Sequence, residues 1–84
     1  MTPDNIKAAL IEELQIIAPE IDPASVDPDD DLREGYEIDS IDFLTFISAI
    51  NQRLGIDVPE ADYPHMTSID QATAYLDARL KDAA

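Results

Sequence analysis

Ser40-Ile41-Asp42-Phe43-Leu44-Thr45-Phe46-Ile47-Ser48-Ala49-Ile50-Asn51-Gln52-Arg53-Leu54-Gly55 is the stretch that decides the fold. Phe43, Phe46, Ile47, Ile50 and Leu54 recur at the spacing that gathers side chains on one face of an α-helix, and Gly55 is a natural C-terminal cap. Downstream, Ile56-Asp57-Val58-Pro59 reads as an extended connector. Glu60 to Met66 has room for one short helical turn, which Pro64 is expected to shorten. Thr67-Ser68-Ile69-Asp70 then looks like a capping-box start, with Asp in place of the usual Glu. Ile69, Ala72, Tyr75 or Leu76, and Leu80 carry the last apolar stripe.

Upstream, Thr2 is placed to cap a helix with Pro3 in its first turn. Ile6, Leu10, Leu14 and Ile17 form its stripe, and Pro19 ends it. From Glu20 to about Ile38 the periodicity disappears among Pro23, Pro28, Gly35 and the run Asp29-Asp30-Asp31. A loop this long in a small domain tends to be functional or mobile. Ile21, Val26, Leu32, Tyr36 and Ile38 are scattered through it, and several are expected to pin it to the core. Strand alternation is absent. The fold class is all-α: a small antiparallel bundle of three main helices plus one short helix, with a long first loop.

The chain has 84 residues, enough for a single domain over 1–84 with one modest core. Nineteen acidic residues against five basic ones give a net charge of −14, which argues against a nucleic-acid binder and against docking on an anionic membrane surface. Basic protein partners are favoured instead. With no cysteine, thiolate catalysis, disulfides and Cys-ligated zinc are excluded. The longest apolar run, Ala8 to Ile11, is far too short to cross a bilayer, and Met1 to Asp4 lacks the features of a signal peptide. The expected location is the cytoplasm, and the expected state a monomer.

Two chemistries fail on inspection. Asp27, Asp29 and Asp31 fall at the first, third and fifth places of an EF-hand loop, but Leu32 stands where glycine is needed and Ile38 where glutamate is needed. The lone histidine, His65, has no serine and aspartate spaced for a hydrolytic triad, so no catalytic residue and no metal site are assigned.

Ile38-Asp39-Ser40-Ile41-Asp42, where the long loop meets the second main helix, resembles the acyl carrier protein family. There an Asp-Ser-Leu triplet opens that helix; Asp39-Ser40-Ile41 is a conservative version of it. Asp57-Val58-Pro59 is similar to the family's acidic-Ile-Pro connector, Met66-Thr67-Ser68-Ile69 to the start of its last helix, and Tyr75-Leu76 to its close. The resemblance spans the whole chain, with its best register from Leu32 to Leu80. It implies a carrier rather than an enzyme, with 4'-phosphopantetheine carried covalently on Ser40 and acyl groups held as thioesters on its thiol, in fatty acid, lipid or polyketide-type biosynthesis. The implied partners are a phosphopantetheinyl transferase (holo-ACP synthase) using Mg²⁺ and coenzyme A, then enzymes of acyl-ACP synthetase, ketoacyl synthase or acyltransferase type with basic docking patches. Asp39, Ile41, Asp42 and Leu44 are the implied docking residues; Phe43, Phe46, Ile47 and Ile50 the implied lining of an acyl pocket.

A helical wheel at about 100° per residue places Ile41 opposite the core stripe and Leu44 at its margin. An exposed isoleucine beside the serine suits docking. Two departures stand out. Glu37 occupies the place where the family commonly has glycine, so the loop's last turn is expected to take a different path. Thr45, Ser48, Asn51, Gln52 and Arg53 stand where family members carry glutamates, which suggests an accessory carrier with dedicated partners. A peptidyl or aryl carrier, and an unmodified acidic interaction module, are the alternatives.

Overall fold

Thr2 accepts the Asn5 N–H on its hydroxyl at 3.2 Å and Pro3 follows, so the first helix, α1, begins there and runs Pro3–Ile17. The computed structural model describes residues 2–36 and 38–82; Glu37 and the altered turn expected of it lie outside them. Ile6, Ala9, Leu10 and Leu14 are fully buried, and Ile17 packs at the core's edge.

The second main helix, taken here as α3, spans Ser40–Leu54, and Gly55 ends it with φ 68°, a left-handed cap that side chains disfavour. The last helix, α4, spans Ile69–Asp82 and buries Ile69, Ala72 and Leu76. Its N-terminal hydrogen bond comes one residue later than the capping-box reading: Ser68 Oγ, not Thr67, accepts the Gln71 N–H at 3.1 Å. Ser68 is buried, and Thr67 turns its hydroxyl to Pro64 O and Gln71 Oε1 instead.

The long loop holds two pieces of structure that periodicity does not reveal: a 3-10 turn at Pro23–Ser25 and a four-residue helix, α2, at Leu32–Gly35. Each is started by an aspartate. Asp22 accepts from Ala24 N, and Asp31 Oδ1 accepts from Arg33 N at 2.9 Å and Glu34 N at 3.1 Å. The acidic run is thus partly a set of backbone caps. Leu32 and Ile38 enter the core while Ile21, Val26 and Tyr36 pack against it, so the scattered apolar residues do pin the loop. Two backbone bonds fasten it to the start of α4: Leu32 N to Thr67 O at 2.7 Å, and Asp70 N to Pro28 O at 3.0 Å.

The short helix expected after the connector is a 3-10 segment over Glu60–Met66. Pro64 does not shorten it. Proline's fixed φ is compatible with helical backbone, and the segment is held by packing: Met66 is fully buried and Tyr63 meets Phe43 edge-on at 6.3 Å. Asp62 accepts from the Tyr75 hydroxyl at 2.6 Å, and Arg79 donates to Tyr75 Oη at 2.7 Å and to Asp57 O at 3.1 Å. This network joins segment, connector and α4. Burial leads the effects that raise the Tyr75 phenol above its ordinary value, followed by its bond to Asp62. Among the described residues the secondary structure is all helical, and no helix is long and apolar enough to cross a membrane.

Candidate functional site

The junction of loop and α3 is built from Asp39 outward. Asp39 has extended backbone, ψ 178°, and its Oδ1 accepts the Asp42 N–H at 2.8 Å while its carbonyl accepts from Phe43 N at 2.9 Å. Asp39 is therefore the N-cap and Ser40 the first helical residue. Ile38 before the cap and Phe43 in the first turn are both buried, the spacing of a hydrophobic staple that fixes how the chain enters the helix. Between these two anchors, Asp39, Ser40 and Ile41 are exposed and Asp42 is half-buried.

The Ser40 hydroxyl accepts a hydrogen bond from Arg33 Nη2 at 2.7 Å. The serine acts there as acceptor, which leaves its own O–H for another base. The Arg33 guanidinium also lies over the Phe43 ring, 5.8 Å from its centroid. Arg33 was not singled out by the motif. One sequence signal marks it: it is the only Lys or Arg between Lys7 and Arg53.

Beside Ser40 opens a groove of about 320 Å³, bounded by Arg33, Phe43, Leu44, Glu60, Tyr63, Pro64 and Thr67. Of the four residues expected to line an acyl pocket, Phe43 faces this groove; Phe46, Ile47 and Ile50 sit in the closed core at 1% exposure or less. The walls from Glu60 to Thr67 come from the 3-10 segment and its end, which apolar periodicity on α3 alone does not point to.

Of the docking candidates, Ile41 is 74% exposed and Leu44 47% exposed, as the helical wheel requires. Asp39 and Asp42 flank Ser40 on the same turn. Farther along α3, two of the residues that stand in place of glutamates have internal work. Asn51 Oδ1 accepts from Val58 N at 3.2 Å, and Arg53 pairs with Glu12 and with Glu13 at 3.3 Å on α1.

The family model described as "Phosphopantetheine attachment site" matches residues 4–76, most of the chain. An acyl carrier protein of Helicobacter hepaticus is 25% identical over 75 residues, covering 89% of this chain and 92% of its own. One from Campylobacter jejuni strain RM1221 is 28% identical over 74 residues, covering 88% and 90%. One from Rubrobacter xylanophilus is 27% identical over 56 residues, covering 67% and 69%.

Proposed function

Because this chain belongs to the phosphopantetheine-attachment family of acyl carrier proteins, we propose that Ser40 is the residue that receives 4'-phosphopantetheine, and that the protein carries acyl intermediates of fatty acid, lipid or polyketide-type biosynthesis. The observation that carries this reading is the exposed Ser40 hydroxyl on the first residue of α3, beside an open groove. A transferase needs to reach that oxygen, and Ser40 is an exposed residue whose hydroxyl meets the tip of the exposed Arg33 side chain. The positive end of α3 favours an anion there.

The attachment balances simply. Ser40 Oγ forms a bond to the phosphorus that bears the pantetheine in coenzyme A, the bond from that phosphorus to the pyrophosphate bridging oxygen breaks, and the hydroxyl proton passes to a base of the transferase. The bound group supplies a thiol on which an acyl group is held as a thioester. The chain's own residues do the rest. The staple of Ile38 and Phe43 holds Ser40 at the surface, while Ile41 and Leu44, flanked by Asp39 and Asp42, offer an apolar spot with an acidic rim to a basic partner. The tether raises the effective concentration of cargo at each partner enzyme. The neutral exposed surface of α3 at Thr45, Ser48 and Gln52 favours dedicated partners over those that read a glutamate-lined helix.

Co-expression with a broad-specificity phosphopantetheinyl transferase is expected to add one phosphopantetheine to the wild type by intact mass, and none to Ser40→Ala. An unmodified wild type beside a converted control carrier would overturn the assignment.

A further inference from the structure

We propose that Arg33 is the phosphate clasp of this site, a positioning residue whose guanidinium holds the phosphodiester on Ser40; the proposal rests on the reading of Ser40 given above. Its guanidinium already lies 2.7 Å from the oxygen that would carry the phosphorus. It is held there from both ends. At the backbone, Arg33 N–H bonds to Asp31 Oδ1, and the adjacent Leu32 is fully buried with its N–H on Thr67 O at 2.7 Å. At the tip, the guanidinium rests over the Phe43 ring.

The electrostatics give this placement a purpose. A phosphodiester on Ser40 adds a negative charge between Asp39 and Asp42, in a chain whose net charge is already −14. The Asp39 carboxylate has taken the Asp42 N–H, so the helix terminus alone has fewer donors to offer an anion. Lys7, Arg53 and Lys81 face carboxylates, and Arg79 is engaged by the Tyr75 hydroxyl and the Asp57 carbonyl away from the site. Among the described residues Arg33 is the cation at Ser40, and its partner there is a neutral hydroxyl. A guanidinium bonds more strongly to an anion than to a neutral oxygen, and its planar fork fits two oxygens of one phosphate. Modification thus replaces a neutral acceptor with an anionic one, turning an ion–dipole bond into an ion pair. Since Arg33 and Ser40 both border the groove, the clasp also fixes where the arm leaves the protein, beside the groove's mouth.

The test compares wild type, Arg33→Gln and Arg33→Lys, each in the unmodified form and the phosphopantetheinylated form, with occupancy read by intact mass. Two quantities are measured: the change in melting temperature on modification, and the phosphorus-31 chemical shift of the phosphodiester. Any purely structural role of Arg33 affects both forms of a variant alike and cancels in the first. In the wild type, modification is expected to leave the melting temperature unchanged or raise it. In Arg33→Gln it is expected to lower it by about 4 °C or more, and to move the phosphorus resonance; Arg33→Lys restores part of both. Should Arg33→Gln fail to fold, wild type against Arg33→Lys still reads the resonance. Equal responses and an unmoved resonance in fully modified protein would overturn the clasp while leaving Ser40 as the attachment residue; a wild type that accepts no group would overturn the reading beneath it.

Discussion

Asp39 and Tyr36 each set the chain's path with one hydrogen bond. Asp39 caps α3 through the Asp42 N–H, and the Tyr36 hydroxyl accepts from Asp27 N at 2.9 Å across the loop. Asp39→Ala is expected to cost about 1 kcal/mol, with Asp39→Asn retaining most of that, as measured by urea unfolding. Tyr36→Phe removes the second bond and is expected to cost about 1 kcal/mol with the aromatic packing kept. The residues legible in the sequence are those whose signal is local. Thr2 before proline, Gly55 after a periodic run and Ser40 inside a short motif all declare themselves within a few positions. Arg33 does not, because its bond to Ser40 exists only once the loop has folded back. Thr67 and Ser68 are equally good caps on paper; burial of Ser68 chooses between them.

At the level of elements, α3 turns one face inward and keeps a second for partners. Phe46 is 1% exposed, and Phe46→Ala is expected to cost about 3–5 kcal/mol, enough to leave a domain of this size largely unfolded in a thermal melt. Ile41→Ala is the contrasting change. At 74% exposure it is expected to shift stability by less than about 0.5 kcal/mol. It is also expected to raise the KM of the modifying transferase about tenfold, the loss of a ~1.4 kcal/mol contact. An unchanged KM would remove Ile41 from the docking surface. The three long helices were readable because fourteen or fifteen residues carry several turns of period. α2 was not, since four residues span barely one turn and its start is set by Asp31, which reads as one more charge in an acidic run. The 3-10 segment was readable as helical but not as uninterrupted, because its packing through Tyr63 and Met66 outweighs the proline.

Over the whole molecule, self-repulsion opposes folding. Added salt or millimolar divalent cation is therefore expected to raise the melting temperature, and a flat response would contradict this. One local conflict has a defined sign. A hydrogen bond shared with Asp70, then the Asp70 charge itself, holds the Asp29 carboxyl above its ordinary range, with smaller pushes from desolvation, Asp27 and Asp30. The folded chain then binds that proton more tightly than the unfolded chain, so stability falls as pH rises from the ordinary carboxylate range through the raised value. Asp29→Asn is accordingly expected to raise the melting temperature at pH 7 and to lose that advantage in acid, by thermal melts across pH. The all-helical bundle could be read from periodicity and charge, whereas the fastening of the loop to α4 could not, because backbone N–H and C=O groups leave no mark on side-chain pattern. That fastening has a consequence for biosynthesis. A nascent polypeptide that has left the ribosome only as far as Gly55 already displays Ser40, yet it lacks the Thr67 carbonyl that grips Leu32 and the Asp70 amide that grips Pro28. The arginine beside the serine gains its seat only once residues 67–70 have also emerged, so a chain that stops short of them and one that includes them offer a modifying enzyme different targets.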